Sequence, residues 1–291
     1  MIFTDRFVYV HEPKTGGTFV TSALLRLYGL KWTRWTHLRN ALAGSVRRAH
    51  PRYGALVHTS NKHGGCNQIP AAERGKRVLA TVRYPFDLYV SQYEFGWWRR
   101  REFLPYFRAV PRFERDYPRF PDISFADFVR LANAAFAGDV RRDEGHGAVS
   151  GRSGDGGDGD NVGGDNVGGG GANNLGWRTR EFVKFYFHDP RQALALLGAD
   201  GFARSPECRA LMHDLHFVRT DRLNRGLHDF LLASGYARED VGFILEMGKV
   251  LPRGKGRAQA QKWERYYTPE LRRYVRERER FIFEMFPEFD A

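Results

Sequence analysis

Short apolar runs alternate along the chain with longer segments whose apolar residues follow helical spacing. Runs of mainly Val, Leu, Ala and Phe at 8–10, 55–57, 78–82 and 215–218 are typical of buried strands. Helical spacing predicts helices over 18–28, from Pro85 onward, and over 124–136, 179–187, 190–197, 221–232 and 268–286. Ser124, Asp221 and Thr268 stand where helices take their N-caps. The alternation predicts an α/β fold with a mainly parallel sheet flanked by helices.

This pattern breaks down at 145–174, where glycine, aspartate and asparagine dominate and Gly-Asp-Asn-Val-Gly-Gly occurs twice. Such a composition buries too little apolar surface to offset the entropy of ordering the chain. We therefore predict a disordered surface insertion within one domain that spans 1–291.

The first apolar run leads directly into Pro13-Lys14-Thr15-Gly16-Gly17-Thr18 and then into a helical pattern. Glycines allow a tight turn close to an anion, and the N–H groups at the start of a helix point toward the same place. In a Walker phosphate loop the lysine follows the second glycine, whereas here Lys14 precedes both. The segment is predicted to be an anion-binding loop of a different type.

A second strand-to-helix junction carries Arg83 and Ser91, eight residues apart. Pro85 suits the first turn of a helix, so Ser91 lies about two turns along it. A guanidinium and a hydroxyl at such a junction can hold a terminal phosphate from two sides.

Together, Pro13–Thr18 and the segment Thr81–Tyr93 resemble the two donor-binding motifs of the sulfotransferases that use 3′-phosphoadenylyl sulfate (PAPS). The Pro-Lys-Thr-Gly-Gly spelling is similar to the carbohydrate-modifying branch. The resemblance implies a P-loop-like three-layer sandwich, PAPS as co-substrate, adenosine 3′,5′-bisphosphate as product, and no requirement for a divalent metal. It implies that the 5′-phosphosulfate is held by Lys14, Thr15, Gly16, Gly17, Thr18 and Phe19, and the 3′-phosphate by Arg83 and Ser91.

The C-terminal part resembles the same family, with a basic glycine-containing segment at 251–257 before an aromatic tract at 263–267. The resemblance implies that Arg253, Lys255 or Arg257 covers the 3′-phosphate. The spelling departs from the better-known Arg-Lys-Gly form of the family, and Arg253 is the residue we assign.

Sulfuryl transfer to an acceptor hydroxyl needs charge stabilisation on the departing phosphate and a group that takes the acceptor proton. Lys14 suits the first role, with Thr18 and the loop amides. For the base we select His58, because it follows an apolar run at a strand's carboxyl end and imidazole has a suitable pKa. His63, His11 and Glu12 remain alternatives.

The formal net charge of +12 suits a polyanionic donor, and it also suits nucleic acid or membrane surfaces. We expect no nucleic-acid partner, because such a module does not need the loop and the Arg-to-Ser pair. The aromatic and arginine-rich segment at 95–120 suggests a sugar or an anionic glycoside, and we expect the acceptor hydroxyl on a carbohydrate or glycosylated small molecule. The alternative function is a P-loop-type nucleotide or small-molecule kinase, which would place its lysine inside the glycine motif and add an acidic magnesium ligand.

Cys66 and Cys208 are the two cysteines, and their separation indicates neither a disulfide framework nor a metal site. The start of the chain lacks the pattern of a signal peptide, and apolar stretches long enough to span a membrane are absent from the sequence. We therefore expect a cytoplasmic protein.

Overall fold

The computed structural model describes residues 1–30, 42–137, 174–197, 199, 201–250 and 261–290. The insertion predicted at 145–174 lies outside these residues except for Asn174. Within them the chain has an α/β fold with a six-stranded sheet in the order β3-β4-β1-β2-β5-β6. The strands are β1 (Ile2–Thr4), β2 (Phe7–Tyr9), β3 (Ser45–His50), β4 (Gly54–Thr59), β5 (Arg77–Val82) and β6 (Leu215–Arg219).

The sheet is mixed, so the prediction of a mainly parallel sheet is confirmed only in part. β2, β5 and β6 are parallel to one another, whereas β1 is antiparallel to both β2 and β4, and β3 pairs antiparallel with β4. Two hairpins cause the difference. One turns at Asp5-Arg6, where the Thr4 hydroxyl donates to the Phe7 carbonyl at 2.8 Å, and the other joins β3 to β4 through Pro51–Tyr53.

These pairings determine where the strands end. Because β2 and β4 both run antiparallel to β1, they point in the same direction. β5 and β6 are parallel to β2, so the carboxyl ends of β2, β4, β5 and β6 lie at one edge of the sheet. We call it the carboxyl edge. It is the edge at which α/β proteins bind ligands.

Helices connect and cover the strands. They are α1 (Gly17–Leu27), α2 (Pro85–Phe95), α3 (Leu104–Arg108), α4 (Phe113–Asp116), α5 (Phe125–Ala135), α6 (Trp177–Tyr186), α7 (Pro190–Leu196), α8 (Pro206–Ala210), α9 (Leu223–Ala233), α10 (Arg238–Val241), α11 (Phe243–Glu246), α12 (Pro269–Arg278) and α13 (Arg280–Met285). Short 3-10 turns occupy Cys66–Gln68, Ala71–Glu73, Trp97–Arg99, Arg101–Phe103, Phe202–Arg204, Thr220–Arg222, Trp263–Arg265 and Pro287–Phe289. Among the described residues, no helix is long and apolar enough to cross a membrane.

Alternating residues of the central strands enter two separate cores. Phe7, Tyr9 and Leu79 pack in a core with residues of α1 and α9, whereas Val8 and Val78 pack in a larger one with residues of α2, α5, α6 and α12. Successive side chains of a strand point to opposite faces. Helices therefore cover both faces of the central strands.

The N-cap predictions have mixed outcomes. Ser124 and Thr268 accept hydrogen bonds from the amides of Asp127 and Leu271, as predicted. Asp221 does not cap α9, whose N-cap is Arg222. Its carboxylate instead pairs with the Arg219 guanidinium at 2.7 Å, which shows that an ion pair with a residue two positions earlier replaces the cap.

Candidate anion-binding site at the carboxyl edge

The loop between β2 and α1 contains two residues in the left-handed region of backbone space. Gly16 has φ 97°, and Lys14 has φ 70°. This conformation is natural for glycine, whereas for a residue with a side chain it costs on the order of 1–3 kcal/mol and persists where the surroundings enforce it. A Cβ on Gly16 would also lie 2.7 Å from Leu223 Cδ2. Both observations indicate a loop held in one shape.

Gly17, the first residue of α1, lies directly against the imidazole of His11. A Cβ at this position would lie 1.8 Å from His11 Nε2, which is far inside contact distance. From the sequence alone, this glycine is expected to allow the close approach of an anion. The structure gives a different reason, because the ring of a residue within the same loop occupies the space of the missing side chain.

The N-terminus of α1 faces the loop, as predicted. The first amides of a helix have no intrahelical acceptor and favour negative charge. Thr18 is half-buried at this end, whereas Phe19 is 5% exposed and packs in the core. The Phe19 amide also donates to the Gly16 carbonyl at 3.0 Å. Of these two residues proposed to bind the donor, only Thr18 has a partly exposed side chain.

Three threonines from three segments fix the loop to the sheet. The Thr15 hydroxyl donates to the Glu12 carbonyl at 2.8 Å and lies 2.7 Å from the hydroxyl of Thr81 in β5. Thr220 follows β6, and its hydroxyl lies 2.9 Å from the Thr15 carbonyl and 3.0 Å from that of Val82. Since the Thr15 side chain is 1% exposed, it binds protein, and its backbone is what remains for a ligand.

Arg83 joins the two motifs that the sequence analysis singled out. Its Nη1 donates to the Lys14 carbonyl at 2.8 Å and to Ser91 Oγ at 3.0 Å. Its Nε donates to the carboxylate of Asp87, one turn before Ser91, at 2.6 Å. The spacing of eight residues therefore brings Arg83 and Ser91 into contact, and the same guanidinium reaches the lysine of the anion-binding loop.

One face of α2 lines this site. Asp87, Ser91 and Phe95 follow each other at intervals of four residues and therefore share a face of the helix. Asp87 and Ser91 contact Arg83, and the Lys14 ammonium lies 3.8 Å from the ring centroid of Phe95. An aromatic face attracts a cation without neutralising it, so the Phe95 ring is a favourable contact for the Lys14 ammonium.

His58, selected as the base, lies inside the sheet. It belongs to β4, pairs with Ile2 and Val46 on the neighbouring strands, and is 3% exposed. It shares a face of β4 with Leu56, which packs in the core with α1. The residue is at the carboxyl edge, as the sequence suggested, but its side chain is covered.

His63 is exposed and its orientation is set by the loop. Its Nδ1 lies 3.0 Å from the carbonyl oxygen of His11. A carbonyl accepts only, so Nδ1 carries the proton and Nε2 presents a lone pair. Desolvation lowers the pKa of His63, the hydrogen bond to the His11 carbonyl opposes this shift, and the charge of Lys62 adds to it. The imidazole is therefore neutral at pH 7.

His11 is buried, and among the described residues its Nδ1 has no hydrogen-bond partner. Burial lowers its pKa to about 2, and the neighbouring His63 and Lys62 act in the same direction. The imidazole rings of His11 and His63 meet edge to face with centroids 4.7 Å apart. His11 supports the loop and His63 as a neutral ring.

Glu12 forms a buried ion pair with Arg178 of α6 and accepts a hydrogen bond from Tyr186 at 3.2 Å. Burial raises the pKa of Glu12 to about 7, although the charge of Arg178 opposes the shift. The carboxylate is 3% exposed. This geometry makes Glu12 an anchor of the loop from below, out of reach of an acceptor hydroxyl.

Several contributors were missed by sequence reasoning. Asp87 had a signal, because it stands four residues after Arg83 at the spacing of a helical ion pair. Thr81 begins the segment Thr81–Tyr93 but had no role assigned to it, and Thr220 had no signal, since it is a single threonine after a strand. Arg253, Lys255 and Arg257 lie outside the described residues, as does the rest of 251–260. In the described part of the chain, no group of three or more His, Cys, Asp or Glu could hold a metal ion.

Comparisons of this chain with protein-family models, with curated proteins and with solved structures find no match.

Proposed function

We propose that this chain is a sulfotransferase that uses PAPS to sulfate a hydroxyl on a carbohydrate or glycosylated small molecule. The observation that carries the proposal is the position of Arg83, which contacts Ser91 and the Lys14 carbonyl at once. Two separate sequence motifs, each suited to one phosphate of the donor, thereby form one site. Helices on both faces and the parallel strands β2, β5 and β6 support a P-loop-like three-layer arrangement around it.

The residues present fit the two charged ends of such a donor. The 3′-phosphate is assigned to Arg83 and Ser91. Because Ser91 Oγ accepts from Arg83, its own O–H is available to a phosphate oxygen. The 5′-phosphosulfate is assigned to the backbone amides at the start of α1, to Thr18 and to Lys14. PAPS supplies the activated sulfuryl group, and the chain supplies position and charge.

In the transfer step, the acceptor oxygen forms a bond to sulfur while the bond from sulfur to the bridging oxygen breaks. The electron pair of that bond remains on the 5′-phosphate, where Lys14 and the amides stabilise the added charge. Both tasks are positioning and charge stabilisation, as in phosphoryl transfer. The acceptor proton needs a neutral base near the loop.

For that base the contacts favour His63 over His58. His63 is exposed, neutral and held by the His11 carbonyl with Nε2 unprotonated, whereas His58 is covered within the sheet. His63→Ala should lower turnover by about 10²–10⁴-fold with little change in donor affinity. His58→Ala is the matched comparison. If His58→Ala loses more turnover than His63→Ala, while both variants remain folded, His58 is the base.

Donor binding is the most direct test of the proposed function. Thermal-shift assays should show stabilisation by adenosine 3′,5′-bisphosphate that ATP with magnesium does not match. Ser91→Ala should weaken the shift. Ser234→Ala, at the other end of the sheet, where the Ser234 carbonyl accepts from Arg6 of the β1–β2 hairpin, should leave it unchanged. Stabilisation by ATP with magnesium and not by the bisphosphate would contradict the proposal and favour the kinase alternative.

A further inference from the structure

A surface cavity of about 280 Å³ lies beyond the end of α2, between the turn at 99–101 and the short helices α3 and α4. We call it the arginine cavity. Its lining combines arginines with aromatic, proline and leucine residues and one glutamate, namely Arg99, Arg100, Arg101, Leu104, Arg108, Phe113, Glu114, Tyr117, Pro118, Phe120 and Pro121.

The charge of this lining is strongly positive. It contains four arginines, and Glu114 is the one acidic residue in the described lining. Glu114 pairs with Arg108 at 3.3 Å, but the two side chains are 75% and 60% exposed. Such exposed pairs contribute little. An oxyanion entering the cavity therefore meets a surplus of guanidinium groups, which bind carboxylate and sulfate oxygens in pairs of hydrogen bonds.

The other wall is aromatic and rigid. Phe113 is 4% exposed and packs against Tyr117 and Phe120, with ring centroids 6.0 and 5.3 Å apart. The Arg99 guanidinium lies 4.9 Å from the ring of buried Trp98. Aromatic side chains present a flat apolar surface that matches the C–H face of a sugar ring. Charge and flat surface are thus combined in one small cavity.

The arginine cavity lies close in the chain to Phe95, the residue that the Lys14 ammonium contacts. The Lys14 ammonium lies on Phe95 at the end of α2, and Arg99 follows four residues later. Four residues span at most about 14 Å of chain, so Arg99 lies within that distance of Phe95. Gly96 turns the chain here with φ 66° and packs near the Arg99 side chain.

We propose that the arginine cavity binds an oxyanion substituent, carboxylate or sulfate, carried on the sugar that is sulfated. The assignment to the acceptor rests on the proposed function. Binding itself does not, because the cavity is formed by residues outside the loop and outside Arg83 and Ser91.

The test compares ligands that differ only in this charge. Isothermal titration calorimetry with 4-nitrophenyl β-D-glucuronide and with the 6-sulfate of 4-nitrophenyl β-D-glucoside should give tighter binding than with the neutral glucoside, by about tenfold. Binding is measured without donor. The preference should fall as salt increases, because exposed charges are screened.

Substitutions that remove either positive or negative charge from the lining test whether the arginine cavity causes the preference for charged glycosides. Arg101→Gln with Arg108→Gln should abolish it, whereas Glu114→Gln should strengthen it by removing the negative charge of the lining. Arg273→Gln, an exposed arginine on α12, is the control and should change nothing. Three results would overturn the proposal: equal binding of charged and neutral glycosides by the wild type, an undiminished preference in the double variant, or tight binding of a single-stranded oligonucleotide with none of the glycosides.

Failure here is distinguishable from failure of the donor assignment. A protein that binds adenosine 3′,5′-bisphosphate but shows no charge preference keeps the proposed function and loses the arginine cavity as an acceptor site. A protein that prefers the charged glycosides but does not bind the bisphosphate keeps the cavity and loses the sulfotransferase assignment.

Discussion

The anion-binding loop and the arginine cavity are both basic, yet they are built in different ways. The loop is held by buried groups: the hydroxyl of Thr15, the Glu12–Arg178 pair and the ring of His11. The cavity presents its arginines on exposed turns, where their ion pairs are weak.

Of the two basic regions, the loop is therefore the preorganised one. A group fixed by buried contacts contributes most where charge develops in a transition state, because it does not have to reorganise. An exposed arginine attracts a ligand and tolerates substitution. Changes to the loop's supports should therefore affect folding and turnover, and changes to the cavity should affect affinity alone.

The largest effect on stability is expected from breaking the buried Glu12–Arg178 pair, which supports the loop. Glu12→Ala leaves the Arg178 guanidinium buried without its carboxylate, which should lower the free energy of unfolding by about 3–5 kcal/mol. Urea denaturation measures it. Replacing both partners in Glu12→Leu with Arg178→Met should recover most of the loss. A single variant as stable as the wild type would mean that the pair is solvated and does not anchor the loop.

The next largest effect is expected on turnover, with no loss of stability. Lys14→Ala should lower turnover by about 10²–10³-fold, because the ammonium no longer stabilises the departing phosphate. Its melting temperature should not fall, since alanine gives up only a half-buried side chain. Single-turnover kinetics with labelled PAPS measures the effect on turnover, and thermal melts measure the effect on stability. Turnover close to that of the wild type would remove Lys14 from the proposed mechanism.

A smaller effect is a pH dependence that belongs to His11. Burial holds its pKa at about 2, below the ordinary value of 6.5, so below pH 6.5 the unfolded chain binds a proton that the folded chain does not. The stability that neutral His11 contributes is therefore complete above pH 6.5 and is lost as the pH falls. By pH 5 the loss is about 2 kcal/mol.

Glu12 acts in the opposite direction between pH 4.5 and about 7, because burial raises its pKa. The comparison must therefore be with His11→Phe, which keeps a ring beside Gly17 but does not titrate. Between pH 7 and pH 5 the wild type should lose about 2 kcal/mol relative to this variant in urea denaturation. If the free energy of unfolding changes equally with pH in the wild type and in His11→Phe, His11 is protonated in the folded state.

The smallest effect is expected at the cavity. Arg101→Gln with Arg108→Gln should change the free energy of unfolding by less than about 0.5 kcal/mol, because these side chains are exposed. Urea denaturation beside Glu12→Ala gives the contrast directly. A loss comparable with that of Glu12→Ala would mean that both regions are structural, and the distinction between them would fail.

Much of the fold follows from local pattern. β2, β4, β5 and β6 are apolar runs, and α1 and α2 follow from the residues after Gly17 and Pro85. β3 could not be found in this way, because Ser45–His50 buries only Val46. The antiparallel pairs were missed for a related reason: the turn at Asp5-Arg6 lacks the glycine that marks most two-residue hairpins.

In the candidate site, too, contacts between residues close in sequence could be predicted, and contacts that depend on tertiary structure could not. The contact between Arg83 and Ser91 depends on spacing along one helix, so the sequence contains it. The exposure of His63 and the burial of His58 depend on how β4 pairs with β1 and β3, which is set by tertiary contacts. Likewise the Glu12–Arg178 pair joins residues far apart in sequence, and no local signal predicts it.

Arg83 holds the carbonyl of the same lysine whose ammonium is assigned to the sulfuryl end of the donor. Under the proposed function, the two ends of the donor would therefore be bound by residues that the hydrogen bond from Arg83 to the Lys14 carbonyl connects. Selecting for a different nucleotide would require coordinated changes at both ends, because altering the residue that grips one end also shifts the backbone that serves the other. Single substitutions should therefore yield slower enzymes before they yield enzymes with a new donor.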